Sequence, residues 1–242
     1  MEIFVLKSDE VAAITRGTHG NPHHILGMHQ CLNDCYVNAY LPRATAAFVL
    51  RINEETGEPI FKYPMTEIGS QGFFTVKIED SGAFAYKIIT EGEQAAEFYD
   101  PYSFGYSVDP VNVMKVVNGD DGILSDFHVK DLFGARQITL DGVQGVSFCM
   151  NMPGATRVSV VGDFNGWDGR VNPMRRIDYT DMFELFIPGD LMNTRYKFEA
   201  LYRDGNTDIF ADPYAEVYEV APGNASVLAK LEYSWSDSSY MK

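Results

Sequence analysis

Apolar and polar residues along this chain alternate with the period of two that a half-buried strand requires, in short runs. From Gly145 to Asn151 the pattern places Val146, Phe148 and Met150 on one face and Ser147, Cys149 and Asn151 on the other. Similar runs cover Val37 to Tyr40, Ala47 to Ile52 and Arg157 to Val161, separated by clusters of Gly, Pro, Asn and Asp. Helical periodicity is sparse. Ser125 is placed to cap a short helix that runs through Phe133 and ends at Gly134. Short strands at short intervals predict an all-β sandwich architecture.

The pattern also repeats. Leu41-Pro42-Arg43-Ala44-Thr45 is echoed 111 residues later by Met152-Pro153-Gly154-Ala155-Thr156. Gly72 to Val76 answers Met182 to Phe186, Tyr86-Lys87-Ile88 answers Tyr196-Lys197-Phe198, and Asp100-Pro101-Tyr102 answers Asp212-Pro213-Tyr214. Four landmarks in one order at nearly constant spacing mark a duplicated unit of domain length, too long for a solenoid repeat of ~20–50 residues. The expected architecture is therefore two tandem immunoglobulin-like β-sandwiches joined by a short helical connector. The expected modules are residues 1–122 and 123–242, the connector falling in the second. Phe127, Val129, Leu132 and Phe133 make that connector apolar, so it should be a tight joint through which the modules pack. Tyr86 and Tyr196 read as core residues, and the two Asp-Pro-Tyr stretches as turns in which Asp accepts local N–H groups. Glu91 to Glu97 reads as a hairpin tip in water.

Composition narrows the partners. Of the 242 residues, 45% are hydrophobic and 13% aromatic, enough to fill two cores and to exclude a disordered chain. A net charge of −15 repels nucleic acid and anionic membranes and leaves a neutral ligand such as a polysaccharide compatible. Cys31, Cys35 and Cys149 are odd in number and spaced for neither a disulfide framework nor a CxxC site, which suits a reducing compartment. The opening residues Met1 to Lys7 carry no signal pattern, and no run reaches the ~18 apolar residues of a membrane helix. A soluble cytoplasmic protein is expected. His19, His23, His24 and His29 are irregularly spaced and do not read as a metal centre; no cofactor motif occurs either.

One stretch carries chemistry. In Val160-Val161-Gly162-Asp163-Phe164-Asn165-Gly166-Trp167-Asp168 a strand ends at a glycine and a short polar loop presents a single indole. Sugar rings have an apolar C–H face that stacks on an aromatic plane, while flanking amides such as Asn165 hydrogen-bond hydroxyls. Gly162 to Trp167 resembles the signature of the starch- and glycogen-binding module of branching and debranching enzymes. The resemblance implies glucose contacts by Trp167 and by Lys197 on the following Tyr-Lys-Phe strand, with Asn224 the nearest match to a further Asn. From the residues alone, Trp167 reads equally well as a wedge against a neighbouring domain, and Lys197 as a solvated strand lysine. Two departures weaken the expected binding. The stretch Arg203 to Thr207 lacks the second aromatic of that family, leaving Tyr202 or Phe210 as imperfect substitutes. The first module has Arg51 to Phe61 where the Trp loop would lie.

The wider likeness is to bacterial glycogen branching enzymes. It rests on Gly17-Thr18-His19-Gly20-Asn21-Pro22, Leu26-Gly27-Met28-His29, Asp100 to Gly105, Leu140 to Phe148, and Ala211-Asp212-Pro213-Tyr214 through Val227. It implies a non-catalytic accessory region that binds α-1,4/α-1,6 glucan (glycogen or maltooligosaccharide) weakly and partners a catalytic barrel. Retaining glycosyl chemistry needs two carboxyl groups ~5 Å apart on a rigid scaffold. In this family that scaffold is a (β/α)₈ barrel of typically ~250 residues. Asp163 and Asp168 flank Trp167 on a loop with no apolar pocket to raise either pKa. No catalytic residue is expected. Tyr233 to Lys242 resembles the lead into the barrel, so the chain reads as ending there. A stand-alone glycogen-binding or scaffold protein is the alternative, and a spacer without sugar affinity a third.

Overall fold

The structure is a computed structural model that describes residues 6–69, 71–79, 82–93, 95–119 and 132–229. The helix expected from Ser125 falls outside the described residues up to position 131, and Tyr233 to Lys242 also lies outside them. The first half holds helix α1 (Ser8–Thr15) and strands β1 (Gly27–Cys31), β2 (Asp34–Tyr40), β3 (Ala44–Ile52), β4 (Pro59–Pro64), β5 (Thr66–Ile68), β6 (Phe73–Ile78), β7 (Tyr86–Gly92) and β8 (Ala96–Tyr99). Helix α2 (Pro110–Val117) follows, started by Pro110 and by the Asp109 carboxylate, which accepts the Val111 N–H at 2.9 Å. The second half holds β9 (Gly134–Leu140), β10 (Val143–Asn151), β11 (Ala155–Gly162), β12 (Arg175–Arg176), β13 (Met182–Pro188), β14 (Arg195–Tyr202), β15 (Thr207–Phe210), β16 (Val217–Tyr218) and β17 (Ser226–Val227).

These strands form four antiparallel sheets in two pairs. The first pair has orders β1-β2-β6-β5 and β4-β3-β7-β8; the second has β9-β10-β13-β12 and β11-β14-β17-β16, with β15 also on β14. The two halves share a common framework of six strands. β1, β2, β6 and β5 map onto β9, β10, β13 and β12, while β3 and β7 map onto β11 and β14. In place of β4, the backbone at 172–174 lies along β11, with Val160 N–H to Asn172 O at 3.1 Å and Met174 N–H to Val158 O at 2.8 Å.

The alternation in β10 points Val146, Phe148 and Met150 into the second core, against Val158, Val160, Phe183, Leu185, Tyr196 and Phe198. The opposite face, with Ser147 and Cys149, is buried too. The chain beyond Tyr102 covers it: Val108 and Val113 pack with Cys149, Ile177, Met182, Leu132 and Phe133, and the Phe104 ring meets Phe186 at 4.9 Å. Ser107 donates from both N and Oγ to the buried Glu184 carboxylate, at 3.0 and 2.6 Å. Arg175 pairs with the same carboxylate at 2.5 Å. Packing therefore runs continuously across the division between positions 122 and 123.

The repeated Tyr and Asp residues turn out to be bonded to one another. Tyr86 donates its hydroxyl to Asp100 at 2.7 Å, and Tyr196 donates to Asp212 at 2.6 Å. Each carboxylate also accepts the N–H of the Tyr two residues on, Tyr102 at 2.9 Å and Tyr214 at 2.8 Å. Both tyrosines are core residues and both turns have the expected Asp chemistry. The unexpected part is the phenol, which ties each turn to the middle of its sheet.

Candidate functional site

At the end of β11 the chain leaves the sheet through a single turn, Asp163–Asn165, and then takes two consecutive left-handed residues, Gly166 (φ 62°) and Trp167 (φ 64°). A left-handed tryptophan is strained by roughly 1–3 kcal/mol and persists where its surroundings over-determine it. Here the Trp167 N–H donates to Gly162 O at 3.0 Å and to Asn165 Oδ1 at 3.2 Å. The indole is left 38% exposed, with Nε1–H donated to Asp163 Oδ1 at 3.2 Å.

Asp163 links this loop to β14. Arg195 grips its carboxylate through Nε and Nη2, each at 2.9 Å, and through its backbone N–H at 3.0 Å. These bonds hold the Asp163 carboxyl below the usual range. Arg195 also reaches Glu219 at 3.1 Å, and Glu219 accepts the N–H of Ala225 at 3.0 Å. Beside Ala225, Asn224 accepts from the Lys197 ammonium at 2.5 Å. Arg195 and Lys197 lie two apart on β14, hence on the same face, while Tyr196 and Phe198 point into the core. Indole, carboxylate, guanidinium and the Lys197–Asn224 pair thus form one connected rim.

Of the four residues singled out from sequence, the structure brings Lys197 and Asn224 into direct contact and links Trp167 to them through Asp163, Arg195 and Glu219. Asn165 faces inward. It is 7% exposed, accepts from Gly162 N–H at 2.9 Å as well as from Trp167, and donates to Val160 O at 2.8 Å and Asn172 Oδ1 at 2.9 Å. Its amide is occupied in shaping the loop. Tyr202 and Phe210 both pack on the second core, Phe210 stacked on Phe198 at 6.1 Å, so neither is a second free platform. Arg195 escaped the sequence reading, although its place two residues before Lys197 was the available signal.

The rim can stack one sugar face and hydrogen-bond hydroxyls, but it holds no acid–base pair. Asp163 is engaged by Arg195, and Asp168 by Arg170 at 2.9 and 2.7 Å; each pair keeps its carboxyl below the ordinary range. Neither supplies a proton at neutral pH. Among the described residues no group of three or more His, Cys, Asp or Glu is arranged for a metal, and no helix is long and apolar enough to cross a membrane.

A paired sandwich with an exposed indole at a strand-end turn has the form of a carbohydrate-binding module, and comparison with known proteins agrees. Residues 132–215 match carbohydrate-binding module 48 (isoamylase N-terminal domain), and residues 7–102 match the N-terminal domain of alpha-1,4-glucan branching enzyme GlgB. The chain is 35% identical over 239 residues to 1,4-alpha-glucan branching enzyme GlgB of Paramagnetospirillum magneticum, covering 98% of this chain and 31% of that protein. It is 37% identical over 237 residues to the protein of the same name in Pseudomonas fluorescens, covering 96% and 30%. Among solved structures, a pullulanase from Anoxybacillus sp. LM18-11 complexed with maltotetraose aligns over 85% of this chain and 26% of that one, with 15% identity and a TM-score of 0.35. The chain matches the N-terminal region of the GlgB branching enzymes. It spans about a third of the length of the curated relatives it matches, and the described residues are two sandwiches with no (β/α)₈ barrel among them.

Proposed function

We propose that this chain is a non-catalytic, α-glucan-holding region of a 1,4-α-glucan branching enzyme. The second module would bind glycogen or maltooligosaccharide weakly, with Trp167 as the stacking plane and Lys197 and Asn224 as hydroxyl partners. Asn165 acts as the support of the Trp167 turn. The observation that carries this reading is the strained, exposed indole joined to a polar rim, inside residues matching carbohydrate-binding module 48. Stacking on a lone indole explains why weak affinity is expected. The remaining partner is the catalytic barrel of the parent enzyme, and the setting is the cytoplasm, which three cysteines outside any disulfide favour.

Affinity electrophoresis through glycogen tests it. The chain should be retarded, and Trp167→Ala should weaken binding by about 2 kcal/mol, roughly thirtyfold in Kd. Equal retardation of parent and variant would remove Trp167 from the site. The isolated chain should form no α-1,6 branches; measurable transfer would overturn the non-catalytic reading.

A further inference from the structure

The loop that presents Trp167 belongs to the second sandwich, yet residues of the first half hold it at several points. Arg43, in the turn between β2 and β3, lies under Gly166. Its guanidinium donates to Asn165 O at 3.5 Å, and a Cβ on Gly166 would stand 2.1 Å from one Nη. Arg170, paired with Asp168, lays its guanidinium over the Tyr40 ring at 5.7 Å. Its stem crosses Gly17, where a Cβ would meet Arg170 Cγ at 2.8 Å. At the far end of the loop the Tyr102 hydroxyl reaches Val171 O at 3.1 Å and Pro173 O at 3.3 Å. Arg43, Tyr40, Gly17 and Tyr102 thus support the loop from the middle to its C-terminal end.

This placement answers a question left by the first module, which has no indole loop of its own. A loop with two left-handed residues in succession, one of them tryptophan, has other conformations within a few kcal/mol. If the binding conformation were only partly populated, the apparent affinity would fall by that fraction. Contacts that hold the turn before the sugar arrives therefore raise affinity without touching the sugar.

We propose that the first module is the scaffold that preorganises the sugar platform of the second, with Arg43 as its principal positioning residue beneath the Gly166–Trp167 turn. The inference rests on the glucan-platform reading of Trp167, and it assigns the first module a role in binding through the loop and not through a subsite.

The test uses the whole chain in a Trp235→Phe background, which leaves Trp167 as the single indole of the two in the sequence. Maltoheptaose is the probe, and acrylamide quenching of Trp167 reports the loop independently of sugar. Arg43→Ala is expected to weaken maltoheptaose binding about fivefold. Quenching of Trp167 should rise while the melting temperature holds. Arg43→Lys, which keeps the charge and loses the planar fork, should recover only part of the affinity. Wild-type affinity together with wild-type quenching in Arg43→Ala would overturn the proposal. Should Arg43→Ala lower the melting temperature, Tyr102→Phe, which loses one hydroxyl, decides instead: a drop of about twofold with increased quenching supports the scaffold, and no change in either refutes it. A parent chain that binds no maltoheptaose would defeat the glucan reading alone. The quenching difference would still report whether Arg43 holds the loop.

Discussion

An Asp212→Ala chain should unfold about 3–5 kcal/mol more easily than its parent. The carboxylate is fully buried and accepts three hydrogen bonds, from the Tyr196 hydroxyl at 2.6 Å, Tyr214 N–H at 2.8 Å and Ala135 N–H at 3.1 Å. Alanine leaves all three donors without their acceptor, and each buried orphan costs about 1–3 kcal/mol. The surroundings have little freedom to close in. Gly134 runs so near that a Cβ there would stand 2.8 Å from Asp212 Oδ2, and its φ of 76° already favours glycine. Tyr196→Phe removes a single donor and leaves Asp212 two others, so about 1 kcal/mol is expected. Asp100→Ala, which orphans two donors in the first half, should fall between them. Urea unfolding at neutral pH gives the ranking. If Asp212→Ala cost no more than Tyr196→Phe, the carboxylate would not be the fastening of the second sandwich.

That fastening shows how far the sequence could be read. The repeated Tyr and Asp-Pro-Tyr landmarks were visible as text, and the strand alternation around Phe148 was visible as period. The core face of β10 followed from that period, since a slip of one residue would turn every side chain over, but which strands pair did not. The bond between Tyr196 and Asp212 joins a strand residue to a turn residue 16 positions on, and no local pattern reports it. Helix α2 escaped for a different reason: Val-Asn-Val-Met-Lys-Val-Val is rich in β-branched residues, which read as strand. It is helical because Asp109 and Pro110 start it and Val113 anchors it against Cys149 and Met182. At the proposed site, Trp167, Lys197 and Asn224 were singled out through resemblance. Asn165 looked like a loop amide free for sugar, and only the positions of Val160 and Asn172 show where its hydrogen bonds go. Arg43 stands 122 residues before the carbonyl it supports, beyond the reach of any spacing argument.

Acid should separate two buried groups that meet at Tyr102, and His23→Leu should reveal it as a gain of about 3 kcal/mol over the parent between pH 6.5 and pH 4. The His23 ring lies edge-on to Tyr102 at 5.0 Å, and its Nδ1 is buried without a hydrogen-bond partner. Burial, then the charges of Arg175, His24 and His29, lower its pKa from 6.5 to about 2. The unfolded chain therefore takes up this proton near pH 6.5 and the folded chain does not. Stability falls as pH drops below 6.5, by up to about 1.4 kcal/mol per unit. Asp100 has the opposite sign. Burial pushes its carboxyl up to about 6, despite the bonds from Tyr86 and Tyr102. Below pH 6 the folded chain binds that proton first and gains stability, by about 2.4 kcal/mol at pH 4. The two contributions nearly cancel in the parent, so a flat acid limb there is uninformative. Removing the imidazole leaves the Asp100 gain uncovered. The quantity to measure is the stability difference between His23→Leu and parent, by urea unfolding at pH 7, 6, 5 and 4. The loss of the ring contact with Tyr102 is common to every pH and sets only the baseline. A difference that stays constant across that range would mean that His23 is protonated in the folded chain as readily as in the unfolded one.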